Sequence, residues 1–409
     1  MLRAILNSPS LRTALALGLG GLAFTLANLV FARELPPSEY GLFSLFIGIL
    51  SVAMLAAPLG LDLVVARRGL LLGPHLRRSA FVTSAVTGIL TALLATLAYS
   101  LSVSLFIALA IATTAAGACQ AGVAHFQGQR QFAIAAWLLQ IPNIALLPIA
   151  LLTLWLGLTT ASTLSLLLAV ASVIGLVGTW YLVARTANLA QGTLRTATLW
   201  REALSLVTIT MASAIFMQLE RLVLPPTVGV QELALFGVVA ALVGSPFRMI
   251  QAAVLFTLIP GLRAARGVSE RRKLLAREVL IVGVTLVCGA GVVWWVAPPI
   301  AHWFLGGRYD LGEALMCAAI VSGLLKVCSA FATSVVVALG DDRDLRYTSV
   351  SAWVSIAIAC AGASLAAHWG LTGVLYGIST GWLLRTLTAA WLAVPHLLQG
   401  RGDLPYPIR

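Results

Sequence analysis

LPPSEYGLFSLFIGILSVAMLAAPLGLDLVVARRG, residues 35–69, is the stretch whose reading decides the fold. Pro36 and Pro37 stop whatever precedes them, because proline lacks the amide donor and disfavours helix in the residue before it. Ser38 is placed to cap a new helix. About twenty mostly apolar residues follow, enough to cross a bilayer core at ~1.5 Å per residue. Asp62 breaks the run, and Arg67 and Arg68 mark its exit. The pattern returns later: Leu224, Pro225 and Pro226 precede an apolar run containing Leu235, Phe236 and Gly237, which ends at Ala264, Ala265, Arg266 and Gly267. A unit repeated in two halves of a chain points to a duplicated architecture.

The composition agrees with membrane spans. Hydrophobic residues make up 60% of the chain and charged residues 10%, where a soluble domain carries about a quarter charged residues. A net charge of +12 would suggest nucleic acid only if its placement were ignored. Cys119, Cys288, Cys317, Cys328 and Cys360 all lie in apolar runs without metal-ligand spacing, so they read as small apolar fillers and no metal or cofactor is called for.

Twelve apolar spans are expected, at about 13–31, 41–61, 80–99, 103–123, 133–156, 162–183, 203–224, 233–259, 279–298, 312–339, 347–367 and 371–394. The first is preceded by Arg3 and Arg12, but it is long for a signal core and lacks a small-residue cleavage site, so it reads as an uncleaved span. No charged residue occurs between 81 and 124, and Tyr99, Ser100 and Ser102 are the expected turn within that interval. Pro142 and Pro148 predict a kink in the fifth span.

The cations set an orientation. With both termini inside, the outer loops hold Arg33 and Arg308. Arg221, Arg248, Lys326 and Arg385 lie within spans, and the rest of the 26 lysines and arginines fall in cytoplasmic segments, six of them in 261–278. Such asymmetry is the positive-inside signature. Six spans return the chain to its starting side. The expected architecture is therefore an all-α polytopic membrane protein of about twelve transmembrane helices. They form two six-helix lobes, 1–183 and 203–409, related by a pseudo-twofold along the membrane normal and joined by a cytoplasmic linker at 184–202. A cleft between like lobes is a natural transport path.

Leu35, Glu39, Tyr40 and Gly41 after the first span resemble the L-x-x-x-EYG pattern of the polysaccharide transporter family. These are the lipid-linked oligosaccharide (O-antigen) flippases of the multidrug/oligosaccharidyl-lipid/polysaccharide (MOP) superfamily. Gly60 and Leu61 fit it. Glu220, Arg221 and Leu222 stand where an Asp-Arg pair is frequent, and Phe236 and Gly237 where Gly-Tyr is more usual. Pro260, the segment 306–309, and Gly370 with Gly373 also resemble family features. The resemblance implies a bundle of twelve or fourteen helices in a bacterial cytoplasmic membrane. It also implies a substrate, undecaprenyl-pyrophosphate-linked sugars moved to the outer leaflet, and partners in membrane lipid and the polysaccharide polymerase and export machinery. No nucleic acid is expected.

Arg248, Lys326 and Arg385 fall about 14–15 residues into their spans, near mid-bilayer. A cation there costs at least ~2.5–3.5 kcal/mol, and no acidic residue lies at comparable depth. A water-filled cavity facing an anionic ligand would satisfy them, and guanidinium forks suit a pyrophosphate. The alternative is that they snorkel or bond carbonyls of other helices. Arg221, near the end of the seventh span, is a further substrate-binding candidate or an interfacial anchor. Glu220 is the candidate ion-coupling carboxylate, or else a structural hydrogen-bond partner. Asp62 is expected to pair with a loop arginine. Asn28, Asn143 and Gln218 would bond sugar or join helices.

Three other readings compete. A multidrug exporter of the same superfamily would favour acidic cavity residues for cationic drugs. A membrane glycosyltransferase or polymerase could use Asp342 and Asp344 as a D-x-D motif, but those residues also read as a solvated turn, and no catalytic residue is assigned. A scaffold without transport would tolerate neutral replacement of the deep cations.

Overall fold

The computed structural model describes residues 9–186, 196–265 and 267–398. Arg3, Arg195, Arg266, Arg401 and Arg409, and the middle of the expected linker, lie outside the described residues. Among those residues every regular element is helical.

Helix α1 (Pro9–Glu34) is followed by α2 (Pro37–Ala56). Pro36, with φ −56° and ψ 145°, is the N-cap, and Pro37 opens the helix. Proline suits that position because its missing N–H would be unpaired there anyway and its φ is already helical. Ser38 therefore lies in the first turn and makes no cap, contrary to the sequence expectation. A turn at 57–60, with Leu59 and Gly60 at φ 50° and 78°, leads into α3 (Leu61–Arg68), which Gly69 closes at φ 61°. The expected turn separates α4 (Pro74–Tyr99) from α5 (Val103–Gly128): Ser100 takes φ 53°, and Ser102 Oγ accepts the Leu105 N–H. The fifth span breaks into α6 (Phe132–Leu139) and α7 (Ile141–Leu156), bent by 43° as the prolines predict.

Helix α8 (Ala161–Thr186) and α9 (Thr196–Met217) bound the linker, both reaching into the segment read as connecting. The seventh span is not continuous. It breaks at Gln218 into α10 (Leu219–Val228), which holds Pro225 and Pro226. Helix α11 (Val230–Val239), a π-helical turn (Ala240–Gly244) and α12 (Ser245–Ala264) form the eighth span. Then come α13 (Val268–Phe304), α14 (Glu313–Leu339), α15 (Asp342–Ala366) and α16 (Gly370–Leu398).

Ten stretches are long and apolar enough to span a membrane, and the bent α6–α7 pair makes up to eleven. One of the ten, Arg343–Leu397, has 55 residues, about 80 Å of helix and more than two bilayer cores. It folds back on itself. A Cβ at Gly377 would overlap the Gly362 backbone, and one at Gly373 would overlap the Ala366 carbonyl, a pairing that runs in opposite directions. Counting α15 and α16 separately gives the twelve spans read from the sequence. The protein is a multi-pass membrane protein.

The chain forms two compact units, Met1–Ala241 and Leu242–Arg409, whose boundary falls in the π-helical turn. In the first, α2 is central, with most of its apolar stretch buried. Glycines let neighbours approach it closely. A Cβ at Gly41 would overlap the Val230 carbonyl, and Gly48 lies against the Arg221 side chain. Tyr40 is buried with its ring against Gly237. Glu39 Oε2 accepts the Ala161 N–H at 2.7 Å, capping α8 from 122 residues away. Glu39→Ala should cost about 1–2 kcal/mol and lower the melting temperature by about 4 °C, whereas Glu39→Gln, whose amide oxygen still accepts, should lose much less. Equal melting of wild type and Glu39→Ala would show that the cap contributes nothing.

In the second unit, Gly323 of α14 receives the Phe247 ring of α12, and Thr386 of α16 donates to the Leu325 carbonyl at 3.4 Å. By contrast, α13 has only a small part of its apolar stretch buried. At 37 residues it is about 55 Å long, so the turn bearing Arg271, Arg272 and Lys273 extends beyond a hydrocarbon core. Trp295 and Trp303, 79% and 86% exposed near the other end, suit the opposite interface.

Candidate functional site

The second unit brings two of the deep cations together. Trp382 and Arg385 are three residues apart on α16 and share a face. The Arg385 guanidinium lies 5.7 Å from the Trp382 ring centroid, and the Lys326 ammonium of α14 lies at the same distance from that ring. Two cations thus share one indole that is 1% exposed. Arg385 is buried and Lys326 half-buried. Ser322, one turn before Lys326 on the same face, is buried with its Oγ making no hydrogen bond. The sequence reading found both cations but not the tryptophan between them, because an aromatic in an apolar span carries no signal of its own.

Arg248 lies on α12, half-buried, and donates to Ser245 Oγ at 3.4 Å. Ser245, Arg248 and Gln251 recur every three residues, which makes a polar stripe on the first two turns of α12.

Arg221 and Glu220 belong to the first unit. They are 3% and 2% exposed, so Arg221 does not reach an interface as its position near the span's end suggested. Both sit at the start of α10, just after the break at Gln218. There Arg221 donates to Gln218 Oε1 at 3.2 Å and covers the Phe24 ring at 5.5 Å. The polar residues read as sugar ligands or helix joiners also find protein partners. Asn28 donates to the Phe24 carbonyl at 2.8 Å, and Asn143 donates to Gln140 Oε1 at 2.7 Å.

One sequence expectation is corrected and one alternative is narrowed. Asp62 does not pair with a loop arginine: Arg67 and Arg68 both bind Glu202 of α9, the former at 3.6 Å. Asp344 is not free for the D-x-D alternative. Asp344 instead belongs to a capping box with Asp341, each carboxylate accepting the other's backbone N–H, at 2.9 and 3.2 Å. The Asp344 N–H holds the Asp341 carboxyl below its ordinary pKa, and Asp344 Oδ2 also meets His396 Nε2 at 2.8 Å.

No described protein family matches the sequence, and no curated protein matches it. Solved structures do. An inward-facing multidrug-resistance MATE transporter of the MOP superfamily matches with a TM-score of 0.60 at 14% identity, over 92% of this chain and 94% of that one. An outward-facing structure of such a transporter matches with a TM-score of 0.60 at 15% identity over 95% of each chain. A MOP-superfamily transporter from Pyrococcus furiosus, described as having a binding pocket of reversed polarity that suggests a different function, matches with 0.62 at 13% identity over 95% of each. The chain therefore has the all-helical, two-lobed fold of MATE transporters of the MOP superfamily.

Proposed function

We propose that the chain is a transporter that flips an undecaprenyl-pyrophosphate-linked oligosaccharide from the cytoplasmic to the outer leaflet of a bacterial cytoplasmic membrane. It would work by alternating access of two six-helix halves, 1–183 and 203–409, joined at 184–202, and hand the glycan to polymerase and export machinery. The observation that carries this reading is the pair Lys326 and Arg385 on one buried indole. Cations at that depth are costly, and an anionic ligand offsets the cost. A pyrophosphate offers a high charge density and oxygens for both a lysine and a guanidinium fork. Arg248 supplies a third cation in the same unit. Glu220 serves as the coupling carboxylate.

The fold neighbours favour a second reading, export of drugs. The charge of Lys326, Arg385 and Arg248 weighs against cationic drugs, which these side chains would repel. Purified protein in liposomes separates the two. The expected result is movement of pyrophosphate-linked glycan between leaflets without efflux of cationic dyes; dye efflux without glycan movement would overturn the proposal.

The orientation is testable separately. In a cysteine-free background, Ser269→Cys should resist an impermeant thiol reagent in intact cells and Asp310→Cys should react, since both sites are exposed. The reverse pattern would invert the topology.

A further inference from the structure

We infer that Asp62 is a proton-binding site that governs the seating of α3 on α9 and α5, a role independent of the substrate reading above. Asp62 is 9% exposed, and its Oδ1 is fully enclosed without a hydrogen bond. A carboxylate in that position is poorly tolerated, whereas a neutral carboxyl is cheaper to bury.

Two of the surrounding arginines are committed elsewhere, and the others are exposed or half-buried. On α3, Arg67 and Arg68 bind Glu202 of α9, and Arg201 of α9 is exposed. On α5, His125 meets Leu72 N, Thr186 and Gln129, and the Cys119 thiol meets Thr179. On α4, His75 and Arg78 are exposed and Arg77 is half-buried. None forms an ion pair with Asp62 among the described residues.

The short helix is bounded by a glycine at each end. It has eight residues between Gly60 at φ 78° and Gly69 at φ 61°, with Leu59 also left-handed at φ 50°. One end is latched by Glu202. The other rests Gly60 on the Ala203 carbonyl, a contact that only glycine permits.

Burial pushes the Asp62 carboxyl up to about 6, against the backbone N–H groups of Asp62 and Leu63, which hold it down. The seated state therefore favours the proton. Its advantage is complete below the ordinary carboxylate range, and is lost as pH rises through about 6. A rise of about two pKa units corresponds to an about 100-fold change in the seating equilibrium.

Hydrogen exchange on the full-length protein tests this. After correction for intrinsic rates, amides of 61–69 and 199–206 should exchange about 30-fold faster at about pH 7.5 than at about pH 4.5, while the middle of α14 stays unchanged. Asp62→Asn, the neutral isostere, should hold both segments protected at both pH values. Equal protection of the wild type at both pH values would overturn the proposal even if the variant failed to fold. Retention of the pH dependence by Asp62→Asn would overturn it as well.

Discussion

Replacing Arg248 and Lys326 together with glutamine is expected to abolish glycan transport while leaving the protein in the membrane at normal levels and with a normal melting temperature. A charge-assisted hydrogen bond to phosphate contributes about 1.5–3 kcal/mol. Each single replacement should therefore lower transport about 10- to 100-fold, and the pair by about 1,000-fold or more. Stability should change little for two opposing reasons. Lys326→Gln forfeits a cation–π contact with Trp382 of about 1 kcal/mol, but it also removes an ion from a low-dielectric setting. Arg248→Lys keeps the charge without the planar fork and should retain part of the rate. Arg78→Gln, an exposed cation of the first unit, should transport normally. Leaflet-to-leaflet movement of labelled glycan lipid is the measurement, and full transport by the double variant would sink the cationic-site mechanism while leaving the fold untouched.

Gly41→Ala should be among the most damaging single methyls in the first unit. In most helical positions the change from glycine to alanine gains about 0.5–1 kcal/mol. At Gly41 the added carbon would overlap the Val230 carbonyl, which belongs to a helix backbone and cannot rotate aside. Helix α11 must then retreat from α2, loosening the Tyr40–Gly237 contact as well. Overpacking of this kind costs about 3 kcal/mol, or about 10 °C for a unit of this size. Gly18→Ala, where nothing lies within 4 Å, should be neutral or stabilising. Thermal melts of the two variants in the same detergent decide the matter; equal melting temperatures would mean that α2 and α11 do not touch as described.

What could be read from the chain divides by range. Span number and the kink near Pro142 follow from local composition and from proline's missing donor, and both are found in the structure. The capping box at Asp341 and Asp344 was also local, but the same letters fit a D-x-D reading, and only the geometry shows which hydrogen bonds form. Glu39 and Asp62 were beyond sequence reasoning for a different reason. Glu39 finds its partner 122 residues away. For Asp62 the decisive fact is that nearby arginines are taken by Glu202, so proximity in sequence pointed to the wrong pair. Arg221 looked interfacial because it lies near the end of the seventh span, and its burial against Phe24, 197 residues away, is a long-range contact that local sequence does not show.

The seam where Val230 covers Gly41 has a consequence for biosynthesis. When a ribosome has released residues 1–186, the residues that close over Gly41 and Gly48 do not yet exist. About fifty more must be made, and at ~5–20 residues per second the groove on α2 stays open to lipid for some 3–10 s. The nascent chain therefore passes through a stage in which its most tightly packed helix has a bare, glycine-lined side, and quality-control proteases in the membrane would meet it there rather than in the finished protein.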